Sequence, residues 1–271
     1  MKLTQLRQAD AMIDSHIHLD ILAEHQTIDD LIMVMRQRNI VGAVIPATQP
    51  KEWQKQYQLA QQYGLGFSLG VHPWYVDNQW RQQIDALERQ LDIVQTSADS
   101  QLLAIGECGL DGHHKDNFNA QRHSFDAQIQ LAKHLKLPLI VHSVKAHEPM
   151  LKLLQQNKLP NTGVIHGFYG SVELAKRYIA LGYKLGIGAI LLNENANKLQ
   201  QVIQQVPLDC LVIETDVAQV QLVKQTKNLP NDLQFELILP LLIKKIANLQ
   251  KKSAVLVSEQ VFRNTLQLFD L

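Results

Sequence analysis

Cysteine is almost absent from this chain. Of its 271 residues only Cys108 and Cys210 are cysteines, too few for the disulfide framework of a small secreted domain. Neither lies in a Cys-x-x-Cys pair, which disfavours a structural zinc site. Both are predicted to be free thiols in a reducing compartment.

Net charge and long apolar runs are absent as well. The 26 basic and 26 acidic residues balance to zero, so no global field would gather a polyanion, and a nucleic-acid substrate would have to be held by local contacts. No stretch reaches the ~18 consecutive apolar residues of a membrane span, and residues 1–8 lack the apolar run of a signal peptide. We expect a cytoplasmic protein without a membrane partner, and the sequence identifies no protein partner.

Linkers, low-complexity segments and long-period repeats are also missing, so we predict one domain over residues 1–271. Short apolar runs alternate with longer amphipathic ones, a pattern typical of βα units around a parallel sheet. In one amphipathic run, Ile84, Leu87, Leu91 and Val94 recur at helical spacing.

Eight strands can be placed in this alternation. They cover residues 12–18, 42–47, 66–71, 102–106, 138–142, 163–166, 183–187 and 211–214. Eight βα units indicate an α/β fold of the TIM (β/α)8 barrel type, whose active sites lie at the carboxyl ends of the strands. A doubly wound open sheet is the alternative, but it would not make the first and eighth strands neighbours.

Metal-binding residue types recur at these strand ends. A His-x-His pair on the first strand, His16 and His18, has both imidazoles on one face because strand side chains alternate. Further candidates follow or end later strands: His72, Glu107, His142, His166 and Asp216. A lone histidine beside an apolar run is commonly a satisfied buried residue. Several histidines together with two carboxylates fit a catalytic metal centre better.

The candidate ligands divide between two divalent ions according to their strands. One ion would be held from the first and eighth strands, by His16, His18 and Asp216. The other would be held from the fifth and sixth strands, by His142 and His166, with Glu107 of the fourth strand bridging both. Two ions roughly 3.5–4 Å apart can share a hydroxide that attacks an electrophile, so the predicted reaction is hydrolysis.

Three residues are predicted to act in the chemistry itself. Glu107 would bridge the ions, and Asp216 would orient the attacking water or accept its proton. His72 would contact the substrate or donate a proton, although a hydrogen bond within the catalytic rim of the barrel explains it equally well. Trp74 and Tyr169 belong to the same predicted rim, where their rings either stack on the substrate or pack the rim.

Six segments around these residues occur in the order found in a known family. They are residues 16–18, 70–73, 104–111, 137–143, 163–168 and 214–216. These motifs resemble those of the TatD-type metal-dependent deoxyribonucleases of the amidohydrolase superfamily, over nearly the whole chain. The run 159–188 is most similar to the bacterial YjjV-type members.

The resemblance implies a two-metal TIM-barrel hydrolase of phosphodiesters that uses Mg, Mn or Zn. Its substrate would be DNA, cleaved as an exonuclease on single strands or DNA ends. Two departures concern the substrate rather than the ions. Val144-Lys145 stands where the family usually has Arg-Asp, and Val217-Ala218 where it has Ala-Pro or Ser-Pro.

The first departure keeps a second hypothesis open. Lys145 offers a point charge where an arginine would grip phosphate through a bidentate fork. Together with the zero net charge, this favours a metal-dependent acyl or ester hydrolase, such as an aminoacyl-tRNA deacylase. A non-catalytic metal-binding protein is the third hypothesis, which the complete ligand set disfavours.

Overall fold

A computed structural model of the protein describes residues 10–23, 27–97, 100–216 and 234–271. The chain divides into two compact units. The first contains the described parts of Met1–Ala43, Gly167–Ala180 and Lys184–Leu271, and the second contains Val44–His166, less residues 98 and 99, with Leu181–Tyr183. The single domain over residues 1–271 stays a prediction. Residues 1–8 and the Val217-Ala218 departure lie outside the described residues.

Strands and helices alternate along the described chain. The strands are β1 Met12–Asp14, β2 Ile40–Ala47, β3 Gly66–Leu69, β4 Leu102–Asp111, β5 Leu139–Val144, β6 Gly163–Ile165, β7 Lys184–Ile187 and β8 Leu211–Ile213. The α-helices are α1 Leu19–Leu22, α2 Ile28–Gln37, α3 Pro50–Tyr63, α4 Trp80–Gln95, α5 Phe118–Leu135, α6 His147–Gln156, α7 Val172–Ala180, α8 Asn197–Gln205, α9 Phe235–Gln250 and α10 Ala254–Phe269. None of the helices in the described ranges is long and apolar enough to cross a bilayer.

The first unit contains the parallel pairs β7–β8 and β1–β2. Leu185 pairs with Leu211 in β7–β8, and Ile13 pairs with Gly42 in β1–β2. Past the end of β1, the Ser15 amide donates to the Ile213 carbonyl at 3.1 Å. This bond joins the first strand to the eighth.

The second unit contains the parallel pairs from β2 to β6. The last part of β2 pairs with β3 from Val44↔Gly66 onward, and β3 continues to β4. β4 pairs with β5, for example through Cys108↔Val141. The series ends with β5–β6.

The strand order is therefore β1 to β8 in sequence. Parallel pairing in chain order, with helices between the strands and the eighth strand bonded to the first, is the topology of a (β/α)8 barrel. The predicted fold class is confirmed. The open doubly wound sheet is excluded because its first and last strands would not be neighbours.

Strand boundaries differ from the prediction by up to five residues, and the two largest differences, at the ends of β1 and β4, move candidate residues. β1 ends at Asp14, so His16 and His18 lie beyond the strand rather than on it. β4 continues to Asp111, so Glu107 lies inside the strand rather than after it. Both ends depend on pairing with a neighbouring strand, which the sequence pattern of one segment does not contain.

β4 reaches Asp111 because Gly109 permits a close approach to β5. Gly109 pairs with His142 and has φ +146°, and a Cβ there would collide with the His142 carbonyl oxygen. Only glycine adopts this conformation at little cost. The pairing brings the end of β4 beside His142.

The helix α4 buries one apolar face. Ile84, Leu87, Leu91 and Val94 are its buried residues, as their spacing predicts, while Ile93 is 60% exposed. Burial of such aliphatic side chains is the main favourable contribution to folding.

Replacing Leu87 with alanine should lower the free energy of unfolding by about 2–5 kcal/mol, because it leaves a cavity under α4. Ile93→Ala on the same helix is the matched control and should change it by less than about 0.5 kcal/mol. Urea unfolding followed by circular dichroism measures both. Equal losses in the two variants would contradict the assigned face.

Candidate metal centre

In the second unit, three imidazoles converge on one oxygen of Glu107. The Oε1 atom lies 3.0 Å from His72 Nε2, 3.0 Å from His142 Nδ1 and 2.8 Å from His166 Nε2. With Asp111 these residues form a buried group, called the Glu107 cluster below: His72, Glu107, Asp111, His142 and His166. Four of its five members were predicted site residues.

Neighbouring strands bring the Glu107 cluster together. Glu107 and Asp111 belong to β4 and His142 to β5, while His72 and His166 follow β3 and β6. Parallel strands present their carboxyl ends at one edge of the sheet, so residues far apart in sequence meet there.

Asp111 is a member of the cluster to which the sequence analysis gave no role. Its Oδ2 accepts from Trp74 Nε1 at 2.6 Å and lies 3.4 Å from His142 Nε2, and its Oδ1 accepts from the His113 amide at 2.8 Å. Burial raises the pKa of Asp111, but hydrogen bonds from His142, Trp74 and His113 outweigh it and lower the pKa overall. The signal in the sequence was an acidic residue ending an apolar strand.

Asp111 also determines which nitrogen of His142 faces the rest of the cluster. Burial lowers the pKa of His142, but hydrogen bonds to Asp111 and Glu107 outweigh this and raise it overall. With Nε2 facing Asp111, the Nδ1 atom is the one that faces Glu107. A carboxylate behind a histidine orients it in this way in many metal sites.

His72 is a neutral imidazole of defined tautomer. Burial lowers its pKa to about 4. The Trp74 amide donates to His72 Nδ1 at 3.2 Å, so the proton of the neutral ring lies on Nε2, which faces Glu107. In this state His72 is a hydrogen-bond donor to the Glu107 carboxylate.

The first unit contains a second group of candidate ligands, called the His16 cluster below: Asp14, His16, His18, Glu214 and Asp216. The Nε2 atoms of His16 and His18 lie 3.2 Å apart. The Asp216 amide donates to the His16 carbonyl at 3.0 Å. The predicted neighbours from the first and eighth strands thus lie side by side.

Asp14 and Glu214 hold the backbone of the His16 cluster, and neither was assigned a role from sequence. Asp14 Oδ1 accepts from the amides of His16 at 3.2 Å and Thr215 at 3.0 Å. His16 is a candidate ligand, and Thr215 precedes the candidate ligand Asp216. Glu214 accepts from Ser15 Oγ at 3.3 Å and from the Gly167 amide. Both carboxylates are fully buried.

Gly186 of β7 makes room for Glu214. A Cβ at Gly186 would collide with the Glu214 carboxylate, so a side chain at this position would push Glu214 away from its partners. The φ of Asp216 is +37°, an uncommon value for a residue other than glycine. The His16 cluster therefore depends on local backbone geometry that strand patterning does not describe.

Both clusters have the donor chemistry of a divalent metal site. His72, Glu107 and His142 each offer a ligand atom, and these atoms all lie within 4.8 Å of one another. The first unit offers the imidazoles of His16 and His18, and the Asp216 backbone is bonded to His16. Imidazole nitrogens with carboxylate oxygens suit Zn and Mn, and carboxylates also suit Mg. Cys108 is a buried free thiol whose pKa is raised by burial, as expected of a core residue.

Comparison with known proteins finds a family whose profile matches most of the chain. The profile described as TatD related DNase matches residues 13–270. The uncharacterized metal-dependent hydrolase YjjV of Escherichia coli K12 is 32% identical over 212 residues, 78% of this chain and 80% of that protein. Human deoxyribonuclease TATDN3 is 31% identical over 272 residues, 95% and 94% of the two chains.

A solved structure agrees with the sequence relatives. The crystal structure of YjjV, a TatD homolog from E. coli, matches with a TM-score of 0.84 and 27% identity over 97% of this chain and all of that chain. This likeness extends over both units and supports the fold class read from the strand order.

Asp14 makes stability depend on pH. Burial raises its pKa from 3.8 to about 7, because hydrogen bonds from Thr215 and His16 offset only part of the desolvation. Between these two pH values the folded state binds more protons than the unfolded state, so stability falls as the pH rises. When the pH rises from about 5 to about 8, the metal-stripped parent should lose on the order of 2 kcal/mol more unfolding free energy than metal-stripped Asp14→Asn.

Urea unfolding at the two pH values measures this difference. Asp92→Asn, a change of an exposed residue on α4, is the matched control and should keep the parent's pH dependence. Parallel pH profiles for the parent and Asp14→Asn would contradict the raised pKa.

Proposed function

Because this chain belongs to the TatD family of metal-dependent hydrolases, we propose that it hydrolyses phosphodiester bonds of DNA with divalent metal ions. The supporting observation is the convergence of His72, His142 and His166 on Glu107 Oε1. So many ionisable groups are buried together in proteins mainly where a metal ion or a reaction uses them.

Two divalent ions are part of the proposal. His16, His18 and Asp216 would hold one ion, and His142, His166 and Glu107 would hold the other. Bound divalent ions supply Lewis acidity, and they lower the pKa of water so that it becomes a nucleophile near neutral pH. The sequence also predicts that Glu107 bridges to the first ion, and this bridging role stays a prediction.

Three further side chains would orient a ligand, contact the substrate or act on the attacking water. Asp111 holds His142 through Nε2, so that Nδ1 would be available to an ion. His72, neutral with its proton on Nε2, would contact the substrate phosphate as a hydrogen-bond donor. Asp216, whose amide is fixed to His16, would orient the attacking water or accept its proton.

The choice of DNA rests on the relatives and on local chemistry. The human relative is named a deoxyribonuclease, and phosphate oxygens carry the negative charge that divalent cations neutralise. The zero net charge provides no field for capture of long duplexes. We therefore infer action on single strands or DNA ends, as an exonuclease.

Acyl or ester hydrolysis is the second candidate, and the residues that follow His142 favour it. Val144 and Lys145 stand where the family usually has Arg-Asp, and Lys145 is exposed with φ +46°. The bidentate phosphate grip of an arginine is therefore missing at this position. Aminoacyl-tRNA is the ester to test.

Cleavage of an end-labelled single-stranded oligonucleotide tests the proposal. With Mg or Mn, the parent should shorten the strand, whereas Glu107→Gln and Asp216→Asn should lower the rate by at least about a hundredfold, since each removes a charge needed in the transition state. His134→Gln, an exposed position on α5, is the matched control and should retain the parent's rate. Intact DNA together with hydrolysis of aminoacyl-tRNA would favour the second candidate.

Metal binding should also stabilise the fold. Metal-stripped protein is expected to gain about 2.7 kcal/mol in unfolding free energy for each bound ion, at an ion concentration a hundred times that site's Kd, because only the folded state assembles the ligands. Calorimetry and elemental analysis should give two ions for the parent and fewer for Glu107→Gln. His134→Gln should again match the parent, and a parent that binds no ion would contradict the ligand assignment.

A further inference from the structure

We propose that Trp74 is the platform on which a nucleobase of the substrate strand stacks, directly beside the Glu107 cluster; this inference rests on the proposed function. It assigns a substrate-binding role to a residue that binds no metal, and it specifies an aromatic heterocycle as the group bound next to the phosphate.

Trp74 lies against two members of the cluster. Its ring centroid is 4.9 Å from that of His72 and 6.2 Å from that of His142. In a nucleic-acid strand each base is attached to a sugar that adjoins the phosphate. A phosphodiester held at the cluster therefore brings a base to the position of the indole.

The indole is fixed by hydrogen bonds at both its ring and its backbone. Trp74 Nε1 donates to Asp111 Oδ2 at 2.6 Å, and its amide donates to His72 Nδ1 at 3.2 Å. Asn117 Nδ2 donates to the carbonyls of Pro73 at 3.0 Å and Val76 at 2.7 Å, one on each side of the turn that carries Trp74. A ring fixed in advance loses little conformational entropy when it binds a ligand.

Trp74 is also half exposed to solvent. Trp74 is 50% exposed, whereas Trp53 is 3% exposed. Trp80 differs as well, because its ring stacks on His123 at 5.5 Å and lies under the Arg81 guanidinium at 4.4 Å. An aromatic ring that is held rigidly yet left exposed beside a reactive centre has the features of a binding surface rather than of packing.

The chemistry of the indole selects the ligand class. Aromatic platforms stack bases without sequence preference, since every base has a π-face. A base must leave its duplex stack to reach a side chain in this way, so a single strand is the favoured substrate. The exposed ring of His114, 5.7 Å from Trp74 and tilted by 36°, adds a second aromatic surface at this place.

Oligonucleotides with a single abasic residue test the platform. In the metal-loaded parent, removing the one base that lies next to the cleaved bond should lower kcat/KM by about tenfold or more. Trp74→Leu should bring the ratio of kcat/KM on intact strands to kcat/KM on abasic strands close to one. Trp74→Phe keeps an aromatic ring, so its ratio should lie between one and the parent's ratio. Trp80→Leu is the matched control and should keep the parent's ratio. A Trp74→Leu variant that keeps the parent's ratio would overturn the proposal.

Fluorescence separates this proposal from the proposed function. Of the three tryptophans of the parent, Trp80→Phe keeps Trp53, which is buried, and Trp74, which is exposed. On rapid mixing with the metal-loaded protein, before products accumulate, a single-stranded oligonucleotide should quench its emission, and a fully abasic strand of equal length should not.

Each outcome of the fluorescence experiment bears on the platform. Base-dependent quenching without any cleavage would support the platform and reject the nuclease activity. Cleavage with no quenching, or with equal quenching by both strands, would overturn the platform and leave the nuclease activity standing.

Discussion

Ionisable side chains are costly to bury unless each one finds a partner, and the second unit satisfies this requirement around a single carboxylate. Glu107 Oε1 faces three imidazoles, and Asp111 faces one of them from its other side. The lengths of β4 and β5 follow from this arrangement, because Glu107, Asp111 and His142 must meet across paired strands. Gly109 makes the pairing possible by allowing the backbone to pass close to His142.

The first unit uses buried carboxylates differently. Asp14 binds the amides of His16 and Thr215, and Glu214 binds Ser15 and Gly167. These bonds position the backbone on both sides of the candidate ligands, so that His16, His18 and Asp216 would need little reorganisation to bind the proposed ion. The same principle would apply to the proposed base platform, because the Trp74 indole is held by Asp111 while the residue stays half exposed.

Much of the fold could be predicted because a repeated pattern encodes it. Alternation of apolar and amphipathic runs gave eight strands in the right order, and the face of α4 followed from its spacing. The ends of β1 and β4 were wrong, because they depend on hydrogen bonds to neighbouring strands. Asp14, Asp111 and Glu214 escaped assignment because a single acidic residue in an apolar run has no distinguishing spacing.

The sequence by itself determined the chemical identity of the candidate ligands, their placement near strand ends, the barrel topology and the resemblance to one family. Each of these depends on residue type and periodicity, which are local properties of a chain. Only the tertiary structure decided that three imidazoles share one oxygen of Glu107, that His72 carries its proton on Nε2, and that Trp74 is fixed yet exposed. The imidazoles around Glu107 and the bond from Trp74 to Asp111 join residues far apart in sequence, which meet only after packing has brought the strands together. The His72 tautomer depends on the folded turn that directs the Trp74 amide at its ring.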